Sequence, residues 1–97
     1  MDFNQIAESI SQQASKVSAL GGTFKLVLDD KIIHIDGSGD KNIVTFDDKD
    51  ADTTVITSLK ALEDMIKGDL NPMMATMTGK VKIQGDMGLA MKLQSLL

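Results

Sequence analysis

The chain has 97 residues, ten lysines against fourteen carboxylates, a net charge of −4 and no cysteine. The missing cysteine excludes disulfides, thiolate metal sites and thiol catalysis, and the acidic balance argues against nucleic-acid binding, which needs clustered basic residues. The length is that of one domain, so we expect residues 1–97 to fold as a single unit. No apolar run reaches the roughly 18 residues of a membrane span, and the first residues do not resemble a signal peptide, so we expect a cytoplasmic protein.

The first element is an amphipathic helix running from Asp2 to about Leu20. Asp2 is its N-cap, Gln5 stands three residues on as in a capping box, and Gly21-Gly22 ends it. Its apolar residues recur at helical spacing and are Phe3, Ile6, Ala7, Ile10, Ala14, Val17 and Leu20. Such a helix either covers a sheet or lies on a membrane surface. The polar face favours the sheet, because Lys16 is its only cation.

Four short runs with strand character follow: "TFKLVLDD", "KIIHIDG", "KNIVTFDD" and "ADTTVIT". Asp29-Asp30 separates the first two closely enough for a tight hairpin. The Gly-rich turn Asp36–Asp40 joins the second to the third, and Asp47–Asp52 joins the third to the fourth. Connections this short predict that successive strands are antiparallel neighbours.

The helical period returns in "SLKALEDMIKG", with Ser58 or Thr57 as N-cap and Gly68 at the C-terminal end. A further short helix is predicted to begin at Pro72, because Asn71 before it is a good N-cap and proline suits the first helical position.

A fifth strand and a last helix complete the pattern. "KVKIQ" alternates, so Val81 and Ile83 are predicted to face inward. Gly85 turns the chain, and Asp86 caps the final helix "MGLAMKLQSLL".

The pair Gly79-Lys80 does not form a phosphate loop. The motif requires glycine where this chain has Met74, and serine or threonine where it has Val81. The order of elements is also reversed, since a helix precedes the pair and a strand follows it.

The aspartate-rich turns do not fit a calcium loop. In a loop starting at Asp36, the sixth position, which requires glycine, is Lys41. In a loop starting at Asp48, it is Thr53. We expect solvated turns and no metal site.

The chain offers little for acid–base chemistry. His34 is the only histidine, on a strand, and we expect it near the surface. Glu8 and Glu63 are the only glutamates, and both fall on polar helical faces. We therefore predict a protein that is not an enzyme and needs no cofactor.

Methionines are concentrated in the C-terminal part of the chain, where six of the seven lie between residues 65 and 91. The final helix is apolar nearly all round, with only Gly88, Lys92, Ser95 and Gln94 on its polar side. Such a helix covers apolar surface in a dimer, against another helix or around a ligand. Flexible thioether side chains suit either core filling or a cavity that adapts to apolar ligands.

The same segment resembles the sterol carrier protein type 2 family. The resemblance lies in "GDLNPMMA" (68–75), in "GKVKIQGD" (79–86) and in "GLAMKL" (88–93), with weaker similarity in "ADTTVIT" (51–57). The order of predicted elements agrees with the family along the whole chain.

This resemblance implies an α+β fold with a five-stranded, mostly antiparallel sheet covered on one face by helices. It also implies a hydrophobic tunnel between sheet and helices that holds fatty acids, fatty acyl-CoA or sterols. The candidate lining residues are Met65, Ile66, Met73, Met74, Met77, Ile83, Met87, Ala90, Met91, Leu93 and Leu97, and Gln94 or Lys92 is expected to meet a headgroup at the mouth.

The resemblance further implies a monomeric lipid carrier that makes transient membrane contact. Relatives include peroxisomal proteins, but Ser95-Leu96-Leu97 lacks the central basic residue of the peroxisomal signal. The alternative function is a protein-interaction module that dimerises through its apolar C-terminal helix.

Overall fold

A five-stranded sheet and four α-helices form the fold, and the computed structural model describes all residues from 1 to 97. The helices are α1 (Phe3–Lys16), α2 (Leu59–Lys67), α3 (Pro72–Met77) and α4 (Met87–Met91), and a 3₁₀ helix (Lys92–Leu96) continues α4. The strands are β1 (Thr23–Leu28), β2 (Lys31–Asp36), β3 (Ile43–Thr45), β4 (Thr53–Thr57) and β5 (Lys82–Gly85). The predicted α+β class and the predicted order of elements are confirmed.

The strands lie in the order β3-β2-β1-β4-β5, and every neighbouring pair is antiparallel except β1 and β4, which are parallel. The prediction that β3 and β4 are antiparallel neighbours is wrong. The connection between them, residues 46–52, can span up to about 25 Å when extended. That reach is enough to cross three inter-strand spacings of about 5 Å each.

This connection crosses the sheet on the face opposite the main core and covers His34. Lys25 on that face pairs with Asp48 at 2.8 Å, and Nε2 of His34 lies 3.2 Å from the carbonyl oxygen of Asp50. His34 is therefore only 3% exposed. The expectation of a histidine near the surface is wrong, because it depended on the connection being a solvated turn.

The hydrophobic core lies between the other face of the sheet and the helices. Fully or almost fully buried side chains from the three central strands form its floor: Phe24, Leu26, Leu28, Ile33, Ile35 and Val55. Helix α1 adds Ile6, Ala7, Ile10 and Ala14. Burial of each large apolar side chain stabilises the fold by about 1.5–3 kcal/mol, so α1 is fixed to the sheet through its whole apolar face.

Helix α1 begins as predicted and ends earlier. Asp2 and Gln5 form the expected capping box, with each side chain accepting a hydrogen bond from the other residue's backbone N–H. The helix ends at Lys16 because Val17 is extended (φ −101°, ψ 155°). Leu20 is nevertheless buried, although it lies outside the helix.

Asn42 fixes this helix end to the sheet. Its Oδ1 accepts a hydrogen bond from the backbone N–H of Leu20 at 3.0 Å, and its Nδ2 donates to the carbonyls of Ala14 and Ser18 at 3.1 and 3.2 Å. We expect Asn42→Ala to lower the free energy of unfolding by about 2 kcal/mol, because partly buried backbone groups lose their partners. Urea denaturation measures this loss. The exposed neighbour Lys41 provides the control, since Lys41→Ala should change the free energy of unfolding by less than about 0.5 kcal/mol. Equal losses in both variants would contradict the stabilising role of the Asn42 side-chain amide.

Candidate functional site

An apolar cavity of about 240 Å³ lies beside β4 and β5, at the end of the sheet covered by α3 and α4. Eleven of its fourteen lining residues are hydrophobic, and none is ionisable. The lining residues are Val55, Met65, Pro72, Met73, Thr76, Met77, Val81, Ile83, Met87, Ala90, Met91, Leu93, Gln94 and Leu97. Chemically, such a lining can hold apolar material and offers no group for proton transfer.

The sheet side of the cavity is formed by paired strands. Val55 of β4 lies directly opposite Ile83 of β5 in the antiparallel register, so both side chains project from the same face. Val81, just before β5, is buried on this side as well. The pairing of β4 with β5 therefore sets the position of the cavity floor.

Helix α3 forms one wall, and local hydrogen bonds fix where it starts and stops. Asn71 Oδ1 accepts from the N–H of Met73 at 2.8 Å, which caps the helix at Pro72. At the other end, the carbonyl of the fully buried Ala75 accepts from the N–H groups of Lys80 and Val81 at 2.8 and 3.1 Å. The chain consequently turns straight from α3 into the strand that forms the floor.

Helix α4 forms the opposite wall and starts at a corner held by Asp86. The side chain of Asp86 accepts from the N–H of Leu89 at 2.9 Å, and its own N–H donates to the carbonyl of Asp52 at 3.0 Å. The predicted cap is thus confirmed. It turns Ala90 and Met91 toward the cavity, while Leu89 is buried in the core.

Five methionines on α3 and α4 are each more than half exposed; we call them the methionine rim, and they are Met73, Met74, Met77, Met87 and Met91. Four of them also line the cavity. Gln94, exposed on the 3₁₀ helix, adds a polar group to the same lining. The cavity is therefore bounded on its outer side by flexible apolar side chains.

Ten of the twelve predicted site residues lie around this cavity. The structure places the other two outside: Ile66 packs against the core from α2, and Met74 projects from α3 into solvent. Four further lining residues were not among the predicted site residues, and they are Val55, Pro72, Thr76 and Val81.

A family model described as the SCP-2 sterol transfer family matches residues 3–97. The chain belongs to this family. Among curated relatives of this SCP-2 domain, sterol carrier protein 2 of Rattus norvegicus is 32% identical over 103 residues, which cover 97% of this chain and 19% of the rat protein. Hydroxysteroid dehydrogenase-like protein 2 of Xenopus laevis is 33% identical over 100 residues, covering 98% of this chain and 24% of the relative. The chain thus spans about a fifth to a quarter of the length of these relatives.

Solved structures show the same fold. A crystal structure of sterol carrier protein 2-like 2 from Aedes aegypti superposes on this SCP-2 domain with a TM-score of 0.80 at 22% identity, covering 97% of this chain and 94% of that one. A solution structure of the same mosquito protein in palmitated form gives a TM-score of 0.76 at 24% identity, covering 99% and 94%. These similarities confirm the α+β architecture with its five-stranded sheet.

Lys92 of this SCP-2 domain does not lie at the cavity. Its Nζ donates to the carbonyl oxygen of Leu20 at 3.0 Å, in a polar groove shared with Asp52 and Asp86. Of the two alternatives for the headgroup contact, Gln94 and Lys92, the second lies away from the cavity, because its side chain turns toward the segment between α1 and β1. Gln94 is the polar residue of the final segment that lines the cavity.

No helix in the structure combines the length and the hydropathy that crossing a membrane would require.

Proposed function

We propose that this SCP-2 domain binds and transfers lipids, namely fatty acids, fatty acyl-CoA and sterols, in the cavity between β4, β5, α3 and α4. The single observation that carries the proposal is the lining, which is almost wholly apolar and has no ionisable group. Membership of the sterol transfer family supports it, and so does the palmitated form of the mosquito protein with the same fold.

The physical chemistry of an apolar cavity suits transfer better than storage. A chain of about 16 carbons gains on the order of 12 kcal/mol on leaving water, at ~0.8 kcal/mol per methylene. The same chain gains almost nothing on leaving a bilayer, because the bilayer interior is already apolar. The free-energy change for exchange between protein and membrane is then close to zero, which allows net movement in either direction.

The size of the cavity implies that it expands as lipid enters. Its volume of about 240 Å³ is below the roughly 300–1,000 Å³ of ordinary small-molecule sites. The methionine rim supplies the room, since unbranched thioether side chains change rotamer without strain. We propose that the lining residues contact the acyl chain or sterol body and that Gln94 contacts the polar head.

The proposed role is non-catalytic. Every lining side chain is uncharged, and the one histidine, His34, lies on the opposite face of the sheet beneath the connection from β3 to β4. We further propose a cytoplasmic monomer that touches membranes transiently, because lipid must be exchanged with a bilayer.

Native mass spectrometry of the purified chain tests the function. We expect a monomer mass with adducts of lipid mass, and displacement of a bound fluorescent fatty acid by palmitate, palmitoyl-CoA or cholesterol. A folded monomer that carries no adduct and binds none of these ligands would sink the proposal. A dimer mass without adducts would instead favour the interaction module, for which the exposed methionine rim is the available surface.

A further inference from the structure

The methionines that line the cavity are of two kinds. Four of them belong to the methionine rim and are between 52% and 75% exposed. Met65, the fifth, is only 8% exposed and packs in the hydrophobic core. It is also the one lining residue that α2 contributes. The cavity therefore has a mouth at the rim and an inner end at α2.

Hydrogen bonds hold the elements at this inner end together. The N–H of Val81, a lining residue that is 6% exposed, donates to the carbonyl of the fully buried Ala75 at 3.1 Å. The hydroxyl of Thr57, which directly precedes the N-cap of α2, donates to the carbonyl oxygen of Lys80 at 2.8 Å. These two bonds join the end of α3 and the start of α2 to the chain just before β5, and the lining on this side is accordingly buried.

Polarity changes along the cavity in the same direction. The polar side chains of the lining are Thr76 and Gln94, and both are exposed. The hydroxyl of Thr76 donates to the carbonyl of Pro72 at 2.9 Å, so Gln94 is the residue whose side-chain donor remains available at the mouth. Met65 and Val81 at the inner end are apolar. A polar head placed there would lose its water without gaining a partner, which is strongly unfavourable.

We infer that Met65 is the stop that limits how much of an acyl chain the cavity takes in, the chain entering methyl end first with its head at Gln94. The inference rests on the proposed lipid-carrier function and deepens it by making the site selective for chain length. Val55 and Val81 belong to the sheet floor, along which the chain lies, whereas Met65 projects from α2 at the end of the cavity.

The length dependence of binding tests this stop. Displacement of a fluorescent fatty acid gives the affinities of saturated fatty acids of about eight to eighteen carbons, even and odd, at concentrations below micelle formation. Each methylene that enters the cavity should raise the affinity about fourfold, and a methylene beyond the stop should add much less. The affinity of the parent protein should therefore rise with chain length up to a break.

The decisive variant is Met65→Ala. It removes the side chain beyond Cβ, a length of about three methylenes, so the break should move to chains that are longer by about three carbons. Because the lost packing lowers the stability of this variant, a milder change accompanies it. Met65→Leu keeps a similar side-chain volume and shortens the side chain by about one methylene, so it should move the break by about one carbon.

The neighbouring residue of α2 gives the matched control. Ile66 packs against the core without lining the cavity, so Ile66→Ala loses packing but should leave the break where the parent has it. A second comparison is Met73→Ala, which shortens a rim methionine at the mouth that is 58% exposed. It should lower the affinity for all chain lengths by a similar factor without moving the break. Circular dichroism verifies that each variant is folded.

Three results would overturn the inference. They are a parent protein whose affinity shows no break with chain length, a folded Met65 variant that keeps the break of the parent, and an Ile66→Ala or Met73→Ala variant that moves the break as far as Met65→Ala does. If Met65→Ala does not fold, Met65→Leu decides. Failure of the proposed function is distinguishable, because then no fatty acid of any length would bind to the folded parent.

Discussion

Replacing Ile83 with aspartate should reduce the affinity for a fluorescent fatty acid by at least about a hundredfold. Ile83 lies on the cavity floor opposite Val55. A carboxylate there would have to lose its water when an acyl chain enters, and burying a polar group without a partner costs roughly 2–7 kcal/mol. Three kcal/mol within that range already corresponds to about two orders of magnitude in affinity.

The adjacent residue gives the matched control for this prediction. Gln84 lies on the same strand, is exposed and does not line the cavity, since successive strand residues face opposite ways. Gln84→Asp should therefore bind fatty acid as the parent does. Ile83 is only partly buried, so both variants should fold, and circular dichroism verifies this. Tight fatty-acid binding by folded Ile83→Asp would show that the acyl chain does not lie on this floor.

Features decided by neighbouring residues could be predicted from the sequence. The caps at Asp2, Asn71 and Asp86 form as predicted, and of the two candidates for α2 it is Ser58 that forms the cap, because a capping bond joins residues two or three positions apart. The methionine-rich wall was recognised for the same reason, since α3, β5 and α4 follow one another closely along the chain.

Features decided by contacts between distant residues could not be predicted. The alternation in "ADTTVIT" indicates a strand but does not say which strand it pairs with. The parallel pairing of β4 with β1, with Phe24 opposite Thr53, sends residues 46–52 across the sheet. The burial of His34 follows from that path. Val55 reaches the cavity only because β4 also pairs with β5, so it too was missed.

Within the helices, the lining was predicted to the correct segment but not always to the correct face. Met73 and Met77 are four residues apart and share a face with Thr76, which lines the cavity as well. Met74 is turned about 100° from Met73 and points outward. The same rotation separates Met65, which lines the cavity, from Ile66, which does not. Composition alone drew attention to methionines, whereas the helical period decides which of them face inward.

Gly85→Ala should be the most destabilising single substitution considered, lowering the free energy of unfolding by about 3–5 kcal/mol. Gly85 has φ +94°, a conformation that costs an L side chain about 1–2 kcal/mol. An added Cβ would also overlap the backbone carbonyl oxygen of Asp52, so the backbone would have to shift. That oxygen accepts the N–H of Asp86, so the methyl group would push the cap of α4 away from β4.

A second glycine separates the clash from the backbone strain. Gly79 has φ +80°, and a Cβ there would meet nothing within 4 Å, so Gly79→Ala should lose only about 1–2 kcal/mol in urea denaturation. The excess loss in Gly85→Ala then measures how tightly the corner between β5 and α4 is held against Asp52. Equal losses in the two variants would contradict this account. Ile83 and Met87 each lie two residues from Gly85, and both line the cavity. A larger loss of stability at Gly85, together with weaker fatty-acid binding in the folded fraction, would therefore mean that this corner fixes the cavity floor and the α4 wall relative to each other.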